Sequence, residues 1–248
     1  MITQFTDVSA EPHIRGFLHE PAQPNGSAIV LTHGAGANCE SKLLIAVSDA
    51  FAEAGFTVLR FDLPFRNERR FGPPRPGSAD RDRDGLRRAV ALMREQLEKR
   101  SANNQAPSGK HAPAKNAAAA GKFQGPARVF LGGHSYGGRQ ATILASEDAA
   151  LADGLLLLSY PLHPPEKPAQ LRTSHFPKLQ TRAFFVHGTR DPFATTDEMR
   201  SALQLIPAPH ALLEVDGAAH DLLAKKAIGE LPARIVSEFQ SFLGKVTE

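Results

Sequence analysis

The clearest chemical signal in this chain is a run of five residues, Gly133-His134-Ser135-Tyr136-Gly137. The pattern Gly-x-Ser-x-Gly stands between the apolar run Val129–Leu131 and a helical pattern over Gly137–Glu147. A serine on such a strand-to-helix turn exposes its Oγ, and bulk two residues to either side would collide with the turn. In a chain with 20 glycines the bare pattern is weak, and a glycine-rich helix entry with a serine cap would also produce it. The flanking elements are what favour a nucleophile.

A serine hydroxyl is a poor nucleophile until a base accepts its proton. Two downstream strand ends offer the partners. Phe184–Val186 runs into a turn that presents Asp191 ahead of Pro192, and Leu212–Val215 runs into Asp216-Gly217-Ala218-Ala219-His220. Ser135, Asp191 and His220 each follow the C-terminal end of a strand, so three distant residues can converge. His220 would then shuttle the proton, and Asp191 would hold the imidazole tautomer. Asp216 and Asp221 are rivals for the acid, but both share the His220 loop, whereas an orienter from a neighbouring strand reaches the far side of the ring more easily. The strand end at Ser159-Tyr160-Pro161 offers no carboxylate. Acyl chemistry also needs backbone N–H groups aimed at the developing oxyanion. One is expected from Tyr136, the other from the loop His33-Gly34-Ala35-Gly36-Ala37, with Ala35 first and Gly36 second.

These residues must be carried by alternating strands and helices, which predicts a mostly parallel sheet covered on both faces. Strands are expected over 14–19, 28–32, 57–61, 128–131, 155–159, 183–186 and 212–215. Helices are expected over 41–54, 84–100, 137–147, 196–205 and 227–242. Two segments break the rhythm. Residues 101–124 are rich in Ala, Asn, Pro, Gly and Lys and read as a flexible insert. Tyr160–Arg182 holds five prolines and leaves a strand's C-terminal end, where open α/β sheets place their binding crevices. One domain spanning 1–248 is expected, without a large lid domain.

Composition narrows the function classes. A hydrophobic share of 42% and a charged share of 22% are those of a globular chain. No apolar run approaches the length of a membrane span, and the N-terminus lacks the pattern of a secretory signal. Cys39 has no cysteine to pair with, which fits a reducing cytoplasm. The net charge of +3 equals the three lysines of the insert (Lys110, Lys115, Lys122), and the arginines of 66–88 are interleaved with acids. No nucleic-acid partner is expected. The glycine loop lacks the last glycine of a dinucleotide fingerprint, and metal-ligand spacing is missing, so neither cofactor nor metal is expected.

Six stretches resemble one branch of the α/β-hydrolases: LTHGAGAN (31–38), RFDLPFR (60–66), GGHSYGGR (132–139), LLLLSYPLHPPEKP (155–168), LRTSHFPKL (171–179) and VHGTRDPF (186–193). That branch includes a testis-expressed hydrolase-like protein, a chromatin-complex subunit and bacterial proteins related to dienelactone hydrolases. The resemblance implies the α/β-hydrolase fold, with about eight strands, and supports Ser135, Asp191 and His220 as triad positions. Unlike dienelactone hydrolases, this chain has Ser rather than Cys as nucleophile. The resemblance also suggests Arg66 and Arg139 as pocket residues for a substrate carboxylate; Arg139 lies four residues after Ser135, hence on nearly the same helix face. Equally, the two arginines could pair with acids such as Asp62 to hold the 63–71 loop. The function expected is a serine hydrolase of a small ester, thioester or lactone. Because some relatives act in protein assemblies, a non-catalytic binding or scaffold protein is the alternative.

Overall fold

A computed structural model describes residues 1–105, 127–223 and 229–245. The first half supplies β1 (Ile2–Asp7), β2 (Ile14–His19), β3 (Ser27–Thr32), α1 (Lys42–Glu53), β4 (Thr57–Phe61), α2 (Pro64–Glu68) and α3 (Ala79–Gln105). The second supplies β5 (Arg128–His134), α4 (Tyr136–Glu147), β6 (Leu155–Leu158), β7 (Ala183–Gly188), α5 (Thr196–Leu203), β8 (His210–Val215) and α6 (Leu231–Gly244). The eight strands form one sheet in the order β1-β2-β4-β3-β5-β6-β7-β8. The first two pairings, β1 with β2 and β2 with β4, are antiparallel; all the others are parallel.

Burial on both faces explains the unbroken apolar runs of the central strands. Side chains alternate across β3: Ala28 and Val30 enter one core, Ile29 and Leu31 the other. Leu86, Val90 and Met93 of α3 and Leu144 of α4 close the first core, while Leu44, Val47 and Phe51 of α1 and Ile235 and Phe239 of α6 close the second. Each such side chain, taken wholly out of water, stabilises the fold by about 1.5–3 kcal/mol.

β1 and α2 were not anticipated. The β1 residues Ile2–Gln4 and Thr6 are exposed, so no buried stripe marks the strand; its order comes from pairing along its whole length with β2 and from an Asp7–Arg88 ion pair. The helix expected from Ala227 begins at Leu231, with Pro232 in its first turn; Ala227 and Ile228 lie outside the described residues, as does nearly all of the expected 101–124 insert. α3 runs five residues further upstream than the apolar periodicity indicates, carrying Asp80 and Asp82 in its first turn, where the helix dipole favours acids. Among the described residues no helix is long and apolar enough to cross a membrane.

Candidate active site

The turn between β5 and α4 is tight because two of its glycines meet backbone and the neighbouring strand. A Cβ on Gly133 would fall 2.7 Å from the Gly138 nitrogen, and one on Gly137 would fall 2.6 Å from Thr32 Cγ2. Ser135 between them has φ 51°, a left-handed conformation that side chains other than glycine adopt at a cost of roughly 1–3 kcal/mol. Its N–H donates to the Leu158 carbonyl of β6 at 2.8 Å, which fixes the turn to the sheet.

Three side chains meet there. Ser135 Oγ lies 2.8 Å from His220 Nε2, and His220 Nδ1 lies 2.8 Å from Asp191 Oδ2. The Asp191 side chain is fully buried; its Oδ1 accepts the Phe193 N–H at 2.8 Å, so the carboxylate cannot swing away. Asp216 accepts instead from Thr189 and Asp221 from the Leu223 N–H. Phe193 stacks on the His220 ring at 4.2 Å between centroids, and His134 Nε2 lies 2.8 Å from the His220 carbonyl. Burial holds the His134 pKa down to about 4, so at neutral pH its Nε2–H donates that bond. Both supports were missed in the sequence. His134 was visible as the middle of the motif, but no spacing rule links it to residue 220.

The loop after β3 lies against Ser135: a Cβ on Gly34 would sit 3.3 Å from its Cβ. His33 orders this loop. Its Nε2 accepts the Leu63 N–H at 3.1 Å, so the ring is neutral and its Nδ1–H donates to the Gly34 carbonyl at 2.9 Å. The Ala37 N–H reaches that carbonyl too, at 3.1 Å. The Ala35 carbonyl is held by Arg66 Nη2 at 2.9 Å. In a trans peptide the carbonyl and the next N–H point in opposite directions. Anchoring the Gly34 and Ala35 carbonyls therefore turns the Ala35 and Gly36 N–H groups the other way, and neither donates to another described residue. Tyr136 opens α4, so its N–H has no acceptor within the helix. Its hydroxyl is tied to the buried Asp82 at 2.7 Å, and Asp82 also accepts the Phe65 N–H at 3.0 Å.

The two arginines fare differently. Arg66 donates to the carbonyls of Ala35, Ala37, Arg69 and Gly72 at 2.8–3.0 Å. It thus holds the 63–72 loop through carbonyls rather than through Asp62, whose Oδ1 accepts from the Cys39 N–H. Arg139 lies one turn into α4, and its Nε is buried without a partner among the described residues. Tyr160–Arg182 contains only one short 3-10 turn, at Phe176–Lys178, and its Tyr160, Leu162, Phe176 and Leu179 are buried in the core: it forms no lid.

Known proteins match this fold over most of the chain. A family model described as an alpha/beta hydrolase domain matches residues 25–91 and 89–246. Similar solved structures include a dienelactone hydrolase from Anabaena variabilis, at 16% identity and TM-score 0.69 over 97% of both chains. Another is an α/β serine hydrolase homologue from Coxiella burnetii, at 14% identity and TM-score 0.68 over 95% of this chain and 96% of that one. A third is an α/β serine hydrolase without lid from Xanthomonas campestris, at 15% identity and TM-score 0.69 over 97% and 94%. These likenesses are of fold. With the family match covering most of its length, the chain belongs to the α/β-hydrolases.

Proposed function

We propose that this protein is a serine hydrolase of small carboxylic esters, thioesters or lactones. The observation that carries this reading is the unbroken relay from Asp191 through His220 to Ser135, with both contacts at 2.8 Å. Ser135 Oγ attacks the carbonyl carbon as its proton passes to His220 Nε2. The carbonyl oxygen becomes an oxyanion that accepts from the N–H of Tyr136 and from that of Ala35 or Gly36. As the tetrahedral centre collapses, the bond to the leaving oxygen or sulfur breaks and His220 protonates the leaving group. Water then attacks the acyl-enzyme, giving its proton to His220, and the second collapse releases the acid and returns the proton to Ser135. Asp191 stays ionised throughout, orienting Nδ1–H. No cofactor takes part in these steps.

Fluorophosphonate labelling tests the reading. Stoichiometric labelling of wild type, lost in both Ser135→Ala and His220→Ala, is the expected result. An unlabelled but folded wild type would overturn it in favour of a non-catalytic binding protein.

A further inference from the structure

Asp82 is a buried acid that the steps above do not use. It stands in the first turn of α3 with its side chain closed to solvent. Its neighbours Asp80 and Asp84 pair with Arg83 and Arg87, whereas Asp82 has no ion-pair partner among the described residues. A carboxylate taken out of water is costly unless donors meet it. Here both donors come from segments that flank Ser135. Oδ2 accepts the Tyr136 hydroxyl at 2.7 Å, and Oδ1 accepts the Phe65 N–H at 3.0 Å. Burial first, and then Asp82 itself, pushes the pKa of the phenol up, so Tyr136 keeps its proton and donates.

Each contact leads to one half of the oxyanion hole. Tyr136 opens α4, and its main-chain N–H is the donor beside the nucleophile. Phe65 lies in α2, whose N-cap Leu63 supplies no side-chain bond, so Asp82 caps this short helix from outside. The next residue, Arg66, holds the Ala35 and Ala37 carbonyls at 2.9 and 2.8 Å, and the Leu63 N–H donates to His33 at 3.1 Å. α2 is therefore the platform for the loop that carries the Ala35 and Gly36 N–H groups. The Phe65 ring fills the space between the halves, meeting the His33 ring at 5.5 Å and the Tyr136 ring at 5.8 Å, edge-on in both cases. α3 comes this close to α2 because residue 85 is glycine: a Cβ there would fall 2.7 Å from Pro64 Cδ. An apolar side chain at position 82 would avoid the cost of a buried carboxylate but could not join α2 to Tyr136.

Resting on the hydrolase reading for the reaction, we infer that Asp82 is a positioning residue for the oxyanion hole. Its two oxygens fix the separation between the Tyr136 N–H and the N–H of Ala35 or Gly36. Asp82 does not touch the reacting atoms; it acts through Tyr136 and α2. Donors slightly displaced still meet a ground-state carbonyl but miss the oxygen as it moves and gains charge. The role therefore belongs to kcat more than to KM.

The test compares p-nitrophenyl acetate with its thiono counterpart, in which sulfur replaces the carbonyl oxygen. Sulfur accepts hydrogen bonds poorly, so donors aimed at the oxyanion favour the oxygen ester. The ratio of kcat/KM values, oxygen over thiono, should fall roughly tenfold in Asp82→Asn and roughly threefold in Tyr136→Phe, mainly through kcat. The double variant should fall no further than Asp82→Asn, because both changes cut the same link. Val90→Ala, which weakens the core side of the same helix without touching either contact, should keep the wild-type ratio. Should Asp82→Asn fail to fold, Tyr136→Phe still decides, since it cuts one contact and leaves the carboxylate in place. A ratio unmoved in folded variants, with both substrates slowed equally, overturns the positioning role and leaves Asp82 a structural group. A ratio that falls as far in Val90→Ala overturns it too. Fluorophosphonate labelling separates the two readings: a wild type that labels while the ratio stays unmoved loses the Asp82 role alone. A wild type that neither labels nor hydrolyses either ester loses the hydrolase reading and this role with it.

Discussion

The loops on either side of Ser135 use arginine in opposite ways. On one side, Arg66 is consumed by its own protein: four carbonyls surround its guanidinium, and two of them belong to the loop that turns the Ala35 N–H and Gly36 N–H away from their anchors. On the other side, Arg139 of α4 has a buried Nε with no partner among the described residues, and Arg172 of the proline-rich segment reaches the Pro161 carbonyl through Nη1. A satisfied buried guanidinium orders the chain around it, whereas an unpartnered buried donor gives no such hold. The residue type alone does not distinguish them.

The comparison has meaning only if chemistry occurs between the two loops. The largest expected effect is therefore on Ser135→Ala, which should lower kcat/KM for p-nitrophenyl esters by about a thousandfold or more. Survival of the activity would show that neither loop flanks a reaction centre. Next comes Arg66→Met, which leaves four carbonyls without their donor. Urea denaturation should show a loss of about 3 kcal/mol, and a smaller one in Arg139→Met, which removes no such set of bonds. An undiminished stability in Arg66→Met would reverse the roles assigned to the two sides.

A smaller effect is expected from Gly34→Ala. Its new Cβ would fall 3.0 Å from His134 Nδ1, so the loop must shift by a few tenths of an ångström, and kcat for p-nitrophenyl esters should drop by roughly tenfold. An unchanged kcat would show that the position of this loop does not bear on the reaction. The finest test concerns His134, where the two sides meet. Its pKa, about 4 in the fold, lies below the 6.5 of an ordinary histidine. Its contribution to stability is therefore full above pH 6.5 and lost as the pH falls through that window toward 4. His134→Gln, whose amide can still donate to the His220 carbonyl, should lose less stability between pH 7 and 4.5. Equal losses in urea titrations would remove His134 from the acid response.

Much of this was legible in the sequence because strand ends are legible. β2 and β4 were read to the residue, and the placement of Ser135, Asp191 and His220 after the parallel strands β5, β7 and β8 is a consequence of topology that apolar runs reveal. β1 stayed hidden because its exposed residues leave no buried period to detect. The role of Arg66 stayed open because four of its acceptors are backbone carbonyls, which carry no side-chain signature. His175 went unnoticed for a different reason: it reaches Thr142 of α4 across an irregular proline-rich stretch, itself tied by the Tyr160 hydroxyl to the Arg172 carbonyl, in which no periodicity relates position 142 to position 175. Cooperation between such residues is a property of packing and is invisible to spacing.

The proline-rich segment has a kinetic consequence as well. Its buried Tyr160, Leu162, Phe176 and Leu179 rivet it to the core, so it has no hinge on which to swing. In many hydrolytic proteins a moving cover sets the pace of turnover, and thickening the solvent slows it. In the proposed reaction, this segment provides no such gate. Raising the viscosity of the solvent is therefore expected to leave the passage of substrate and product past it unhindered by any swing of the segment.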